Sequence, residues 1–332
     1  MKMQTRNKDS QSYVKFLAII DAIIQYGDIE HPLTVKDIQQ TVYQRYNFTI
    51  DYRLIKKYVN EYNEYFEDNI IQYYKKGRND YYYFNGNSLD VMEAKAIVDL
   101  VYSSDFFTLT TKNNYKKRIK EMFSKNYDSY FDKTLNIHIT KNENDQVFYN
   151  ELDIITKAIQ THKKIRFIYQ KPQLNCDQYK TVELAPIDTC FSNNEYYLLC
   201  QGSKDPLRCI QYRLDYVKNV EIIEDSHVVF DEQQIQSFNE QIKNISYMYG
   251  EGELEYIELD FDGSVYSNMI DKFGKDIQPR HVDGNIYRIQ VKHTINSTFY
   301  AWIIGFGGKI QISGNEKQVQ EFQSFLQDRF MK

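Results

Sequence analysis

Between Lys164 and Ile223 the chain carries five short β-prone runs in close succession: KIRFIYQ, TVELAPI, EYYLLCQ, RCIQYRL and VKNVEII. Turn-forming residues separate them. Short strands in series, with no room for long crossovers, predict a small antiparallel barrel or sandwich. One helix precedes them, with Leu152, Ile155, Ala158 and Ile159 spaced for a single face. Residues 151–224 are therefore read as one β-rich domain, whose ten basic and ten acidic side chains give it no bulk charge.

The chain of 332 residues is long enough for two or three domains. Residues 1–86 form a different kind of segment. Ser12 is placed to cap a helix carrying Tyr13, Phe16, Leu17, Ile20, Ile23 and Ile24, ended by Gly27. Pro32 and Thr34 open a second helix with Val35, Ile38 and Val42 on one side. Asn47 and Thr49 precede a third, from about Asp51 to Phe66. Two β-like runs follow, Ile70–Tyr74 and Tyr81–Phe84, joined by KKGRND. Three helices and a hairpin is the order of a winged helix-turn-helix.

The third helix divides by angle. Leu54, Ile55, Tyr58, Val59 and Tyr62 share one side; Tyr52, Arg53, Lys56, Lys57 and Asn60 share the other. The second set is the chemistry that reads base edges and phosphates in a major groove. Lys75, Lys76 and Arg78 at the hairpin tip suit backbone contact. Net charge argues against a basic coat, since 41 basic and 46 acidic side chains give −5. Residues 1–86 hold twelve basic and eleven acidic side chains, so any footprint on double-stranded DNA is positional.

Residues 87–150 read as a helical connector. Ser88 to Glu93 is a capping start for a stripe of Val91, Ala94, Ile97, Val98 and Val101. A second helix near Tyr115–Phe123 carries Lys116, Lys117, Arg118 and Lys120, read as a solvated face. Residues 136–150, with His138, read as a loop, and residues 225–252, with His227, as a polar linker. Residues 253–332 alternate β-α-β-α-β-α, an α+β sandwich by order. The GFGG run at Gly305–Gly308 follows a helix and precedes a strand, the reverse of a dinucleotide fingerprint, so it reads as a helix end and turn.

The β-rich segment also carries a resemblance. Tyr196-Tyr197-Leu198 stands where WYL-domain proteins have Trp-Tyr-Leu. IRFIY at Ile165–Tyr169, VELAP at Val182–Pro186 and YRLDYV at Tyr212–Val217 surround it in order. YAWIIGFGGKIQI at Tyr300–Ile312 looks like the WCX extension that follows such domains. With the N-terminal segment, nearly the whole chain resembles a WYL-domain transcriptional regulator. The resemblance implies a bacterial DNA-binding protein and a homodimer. It implies an Sm-like, SH3-type barrel that senses a nucleotide or single-stranded nucleic acid. Two positions depart from the pattern: Tyr196 replaces the signature Trp, and Tyr216 stands where the family has an arginine expected to meet the anionic ligand. Arg166, Arg208 and Arg213 remain. Strand alternation adds Tyr197 and Tyr212, giving an aromatic and guanidinium set for a base and a phosphate.

No GxSxG, HExxH or Walker A pattern occurs, and six histidines are scattered. Cys176, Cys190, Cys200 and Cys209 show no CxxC spacing, which speaks against zinc or disulfides and for a reducing cytoplasm. The N-terminus lacks the apolar core of a signal peptide, and no run spans a membrane. The expected architecture is thus multidomain α+β. A winged helix-turn-helix (1–86) leads to a helical connector (87–150), a barrel (151–224), a linker (225–252) and a C-terminal α+β domain (253–332). The expected function is ligand-responsive transcriptional regulation without a cofactor. Two other readings stand beside it: an accessory protein binding RNA or single-stranded DNA in a defence or repair complex, and a nucleic-acid-processing enzyme.

Overall fold

The computed structural model describes residues 8–66, 70–87, 89–132, 145–172, 174, 178–245, 248 and 252–330. Ser88, His138 and Cys176 lie outside these. The chain divides into two compact units, Met1–Glu143 and Asn144–Lys332. It is a multidomain α+β protein with several small antiparallel sheets.

The first unit opens with α1 (Lys8–Tyr26), β1 (Leu33–Thr34), α2 (Val35–Tyr46), α3 (Tyr52–Phe66), β2 (Ile71–Lys76) and β3 (Asn79–Phe84). Ser12 lies inside α1, which starts earlier than the sequence indicates, and its hydroxyl meets Tyr58 Oη at 2.9 Å instead of capping. Thr34 caps α2 in a reciprocal box with Asp37. Asn47 ends α2 in the left-handed region (φ 56°), which its short polar side chain tolerates. Asp51 accepts from the Arg53 N–H and so starts α3. Gly77 at φ 63° and Arg78 form a two-residue turn between β2 and β3. The strands order as β1-β3-β2. Ile19, Ile23, Ile38, Val42, Ile55, Val59, Ile71 and Tyr82 fill the core beneath, each large apolar side chain contributing about 1.5–3 kcal/mol by burial.

Four further elements follow among the described residues: α4 (Val91–Ser103), α5 (Leu109–Lys120), a 3-10 turn (Lys125–Tyr127) and α6 (Asp128–Asp132). Asp90, paired with Glu93, is the cap of α4. Ala94, Val98, Tyr102, Phe123, Tyr127 and Phe131 form a second apolar cluster. A polar joint ties it to the turn after α1. The buried Asp28 carboxylate accepts from Ser124 Oγ, from Asn126 Nδ2 (2.8 Å) and from the His31 N–H (2.9 Å). Burial alone would raise its pKa, yet these donors hold it below the ordinary value.

The second unit begins at α7 (Asp145–Gln160), so residues 145–150, expected as loop, are helical. Its Glu151 accepts the N–H groups of Asn219 and Val220, both at 2.9 Å. Then come β4 (Lys164–Lys171), β5 (Gln178–Leu184), β6 (Pro186–Ser192), β7 (Glu195–Gln201), β8 (Cys209–Arg213), a 3-10 turn (Leu214–Tyr216) and β9 (Val217–Ile223). TVELAPI is not one strand: Ala185 divides β5 from β6. The six strands form two antiparallel sheets, β5-β4-β9 and β6-β7-β8. Among the described residues no ladder closes them into a barrel. The chain changes sheet at Ala185 and again at Leu214–Tyr216, where pairing breaks.

The expected linker contains a helix, α8 (Glu232–Lys243), capped by Asp231. Phe238 of α8 is buried with Tyr197, Leu199, Cys209 and Met248. Gln241 bonds the Cys209 N–H (3.1 Å) and the Leu207 carbonyl (2.7 Å). The unit ends with β10 (Glu253–Asp262), α9 (Tyr266–Phe273), β11 (Arg280–Asp283), β12 (Ile286–Ile295), α10 (Ser297–Ile304), β13 (Ile310–Ser313) and α11 (Glu316–Phe330). Their sheet runs β11-β12-β10-β13, one strand more than the sequence order indicates. Gly307 and Gly308 turn at positive φ between α10 and β13. No helix among the described residues is long and apolar enough to cross a membrane.

Candidate nucleic-acid interface

Helix α3 is amphipathic in the way its angles require. Ile55, Tyr58, Val59 and Asn63 are buried; Tyr52, Arg53, Lys56, Lys57 and Asn60 are exposed. Leu54 and Tyr62 are half-buried at the margin. The apolar side anchors through Tyr58, whose ring stands edge-on to Phe16 of α1 at 5.4 Å.

Asn63, a polar residue that helical periodicity alone does not single out, is buried and fixes the hairpin against the helix. Its amide donates to the Ile71 carbonyl (2.6 Å) and accepts from the Ile71 N–H (3.0 Å). This two-point bond sets where β2 leaves α3. It brings Lys56 Nζ to 5.2 Å from the centre of the Tyr73 ring. A polar residue flanked by Tyr62 and Phe66 on the apolar side of α3 was the available signal.

The surface is not uniformly cationic. Arg53 Nε lies 3.8 Å from Asp51, and Lys57 Nζ lies 3.5 Å from Glu61. Lys75, Lys76 and Arg78 project from the hairpin tip and are exposed. Among the described residues no carboxylate lies within ion-pair distance of these three. The basic run on α5 is different: Lys117 pairs with Glu121, Lys120 pairs with Asp128 and Asp132, and Lys112 is buried with its ammonium on the Tyr102 carbonyl. Lys112 and Lys120 belong to the packing of the unit, while Lys117 and Arg118 stay exposed, as a solvated face requires.

A second concavity, of about 750 Å³, lies in the β-rich unit. Tyr197, Arg208, Tyr212 and Arg213 line it together with Tyr169, Lys171, Lys180, Lys204 and Tyr216. Arg166 does not. It sits on the opposite side of β4 from Tyr169 and Lys171 and pairs with Glu183 at 3.1 Å. Tyr197 is not on an open face. Helix α8 covers its side of β7, and Leu198 and Cys200 on the other side are buried as well. Tyr212 is mostly buried between Phe167 and Tyr169, and burial raises its phenol to about 12.

Arg213 is committed within the protein. It grips Asp215 with two bonds (3.1 and 2.7 Å), reaches Glu195 at 2.9 Å and stacks over Tyr216 at 4.5 Å. Burial alone would lower its pKa, but the two carboxylates raise it. Tyr216, which replaces the arginine expected from the resemblance, is thus the platform for the neighbouring guanidinium. The cations facing the concavity from β4 and β5 are Lys171 and Lys180, the latter 5.6 Å above the Tyr212 ring. Strand parity could have found them, because Lys171 shares the side of Phe167 and Tyr169.

Cys190, Cys200 and Cys209 form no disulfide, and burial pushes the Cys209 thiol up to about 12. Among the described residues no group of His, Cys, Asp and Glu could hold a metal ion.

No family model matches the chain, and no curated protein does. Solved structures do align with it, two of them as follows. Proteasome accessory factor B/C (PafBC) of Arthrobacter aurescens is 12% identical with a TM-score of 0.29, over 98% of this chain and 49% of that one. A CRISPR Cas-related protein is 11% identical with a TM-score of 0.38, over 99% of this chain and 87% of that one. The chain spans about half the length of the first.

Proposed function

We propose that the protein is a DNA-binding transcriptional regulator whose first unit is a winged helix, with α3 as recognition helix and β2–β3 as wing. The observation that carries this reading is the outward face of α3: Tyr52, Arg53, Lys56, Lys57 and Asn60 are exposed together. They lie beside a hairpin whose tip adds Lys75, Lys76 and Arg78. A helix supplies bidentate and amide donors to base edges, and a basic hairpin neutralises flanking phosphates. Dimeric binding would place two such helices on two half-sites. In this reading the protein is a cytoplasmic regulator and catalyses nothing.

The β-rich domain, Sm-like in this reading, is the sensor. Lys171, Lys180, Lys204 and Arg208 around Tyr169 and Tyr212 suit a nucleotide or a single-stranded oligonucleotide: phosphate on the cations, base on the rings. Arg213 lines the site as a cation already paired with Asp215 and Glu195. Regulation then requires the effector to favour one arrangement of the DNA-binding units over another.

Fluorescence anisotropy tests the reading. The probe is duplex from the region upstream of the protein's own coding sequence, set against the separated strands. The parent binds duplex in preference. Arg53→Ala and Lys56→Ala each weaken binding by about 1–3 kcal/mol where a base contact is lost. Unchanged affinity in folded variants overturns it. Binding to single strands alone favours an accessory role instead.

A further inference from the structure

We propose that Tyr73 is a positioning residue for Lys56, and that Lys56 is the principal anchor of the α3 face on the DNA backbone. The inference rests on the recognition-helix reading and goes one step further, to how that face is prepared.

The three cations of α3 differ in what holds them. Arg53 and Lys57 lie beside the carboxylates of Asp51 and Glu61. To meet a phosphate, each must first give up an exposed ion pair, which takes a modest share off its net gain. Lys56 has no carboxylate within ion-pair distance among the described residues. Its ammonium sits 5.2 Å from the Tyr73 ring centre. A ring face attracts a cation through its quadrupole without neutralising it, and the N–H donors turned away from the ring stay available.

The support beneath Lys56 is rigid. Tyr73 and Tyr82 are directly opposed across β2 and β3, with ring centres 5.5 Å apart. Tyr82 is buried in the core of the unit. Core, Tyr82, Tyr73 and Lys56 therefore form a continuous stack that ends in a charge. A lysine restrained before binding loses less side-chain freedom on binding. Because Tyr73 belongs to the hairpin and Lys56 to the helix, the stack also makes these two parts act as one surface.

The test is a double-mutant cycle on the full chain, read by anisotropy with a mixed-sequence B-form duplex at low salt. Tyr73→Leu is expected to weaken binding about 2- to 5-fold, and Tyr73→Phe, which keeps the ring, to bind like the parent. In a Lys56→Met background Tyr73→Leu is expected to cost nothing further. Lys56→Met is expected to weaken binding more than Arg53→Met or Lys57→Met. Thermal melts confirm that each variant folds, which the part-exposed position of Tyr73 permits. The inference is overturned if Tyr73→Leu binds like the parent, or if its cost is undiminished without Lys56. If Lys56→Met alone has no effect while Arg53→Met or Lys57→Met weakens binding, this inference fails and the recognition-helix reading stands; if none of the three weakens binding, that reading falls as well.

Discussion

Arg213→Ala is expected to destabilise the second unit rather than merely to blunt ligand binding. The side chain holds Asp215 bidentately and Glu195 at 2.9 Å. Glu195 is only 6% exposed. Deleting the guanidinium leaves a carboxylate in a place water barely reaches. Breaking a buried pair from one side costs about 3–5 kcal/mol. Arg213 itself is 27% exposed on its side chain, which places the loss at the lower end, about 3 kcal/mol. For a unit of this size that lowers the melting midpoint by about 6–12 °C. Thermal and urea unfolding followed by circular dichroism measure it. One further result must accompany the loss: adding Glu195→Gln to the variant removes the buried charge that Arg213 compensated and restores part of the stability. A variant within about 1 kcal/mol of the parent, with no rescue by Glu195→Gln, would refute the structural role assigned to this arginine.

Three other outcomes are expected. Asp28→Ala strands the Ser124, Asn126 and His31 donors at the joint of the first unit and costs about 2–3 kcal/mol, read as a lower urea midpoint; the parent's own share from Asp28, whose folded pKa is depressed, is present at neutral pH and lost on acidification toward and below the usual carboxylate range. His293 is buried against Phe299, and burial lowers its pKa to about 4; the unfolded chain therefore binds the proton first, and stability falls by about 3 kcal/mol between pH 6.5 and 4. His293→Gln should remove that component of the pH profile, and an unchanged profile would contradict the assignment. Lys171→Ala and Lys180→Ala should each weaken titrated nucleotide or oligonucleotide by about 1.5 kcal/mol while Arg166→Ala leaves binding intact, and equal losses at all three would show that the concavity is not the site.

Much of the local structure was legible because it follows from short-range periodicity. The α3 face is set by residues within four turns of one another, so 100° per residue separated Ile55, Tyr58 and Val59 from Arg53, Lys56 and Lys57 correctly. The capping of α2 by Thr34 was also visible in the sequence. What failed depended on partners distant along the chain. Residues 225–252 look polar, yet Phe238 buries itself against Tyr197 and Cys209. Ile235, Phe238 and Ile242 do share one face of α8, but this short period is outweighed by the polar residues around it. The same helix explains why Tyr197 is enclosed: alternation along EYYLLCQ states which side chains share a face, not that both faces are covered. Charge alone groups Arg166 with Arg213, but strand parity sends Arg166 to the far side of β4, and Asp215 and Glu195 claim Arg213. The closing of short strands into a barrel is likewise a matter of ladders, and Ala185 and Leu214–Tyr216 interrupt them.

The salt dependence of duplex binding tests the central claim most directly. Each phosphate neutralised by a cation contributes about −0.9 to the slope of log K against log salt concentration. Replacing Lys75, Lys76 and Arg78 together by alanine should flatten the slope by about 2.7 while weakening all duplex sequences alike. A slope identical to that of the parent, in a variant that melts like the parent, would mean that DNA does not lie against the hairpin tip and would contradict the winged-helix mode of binding.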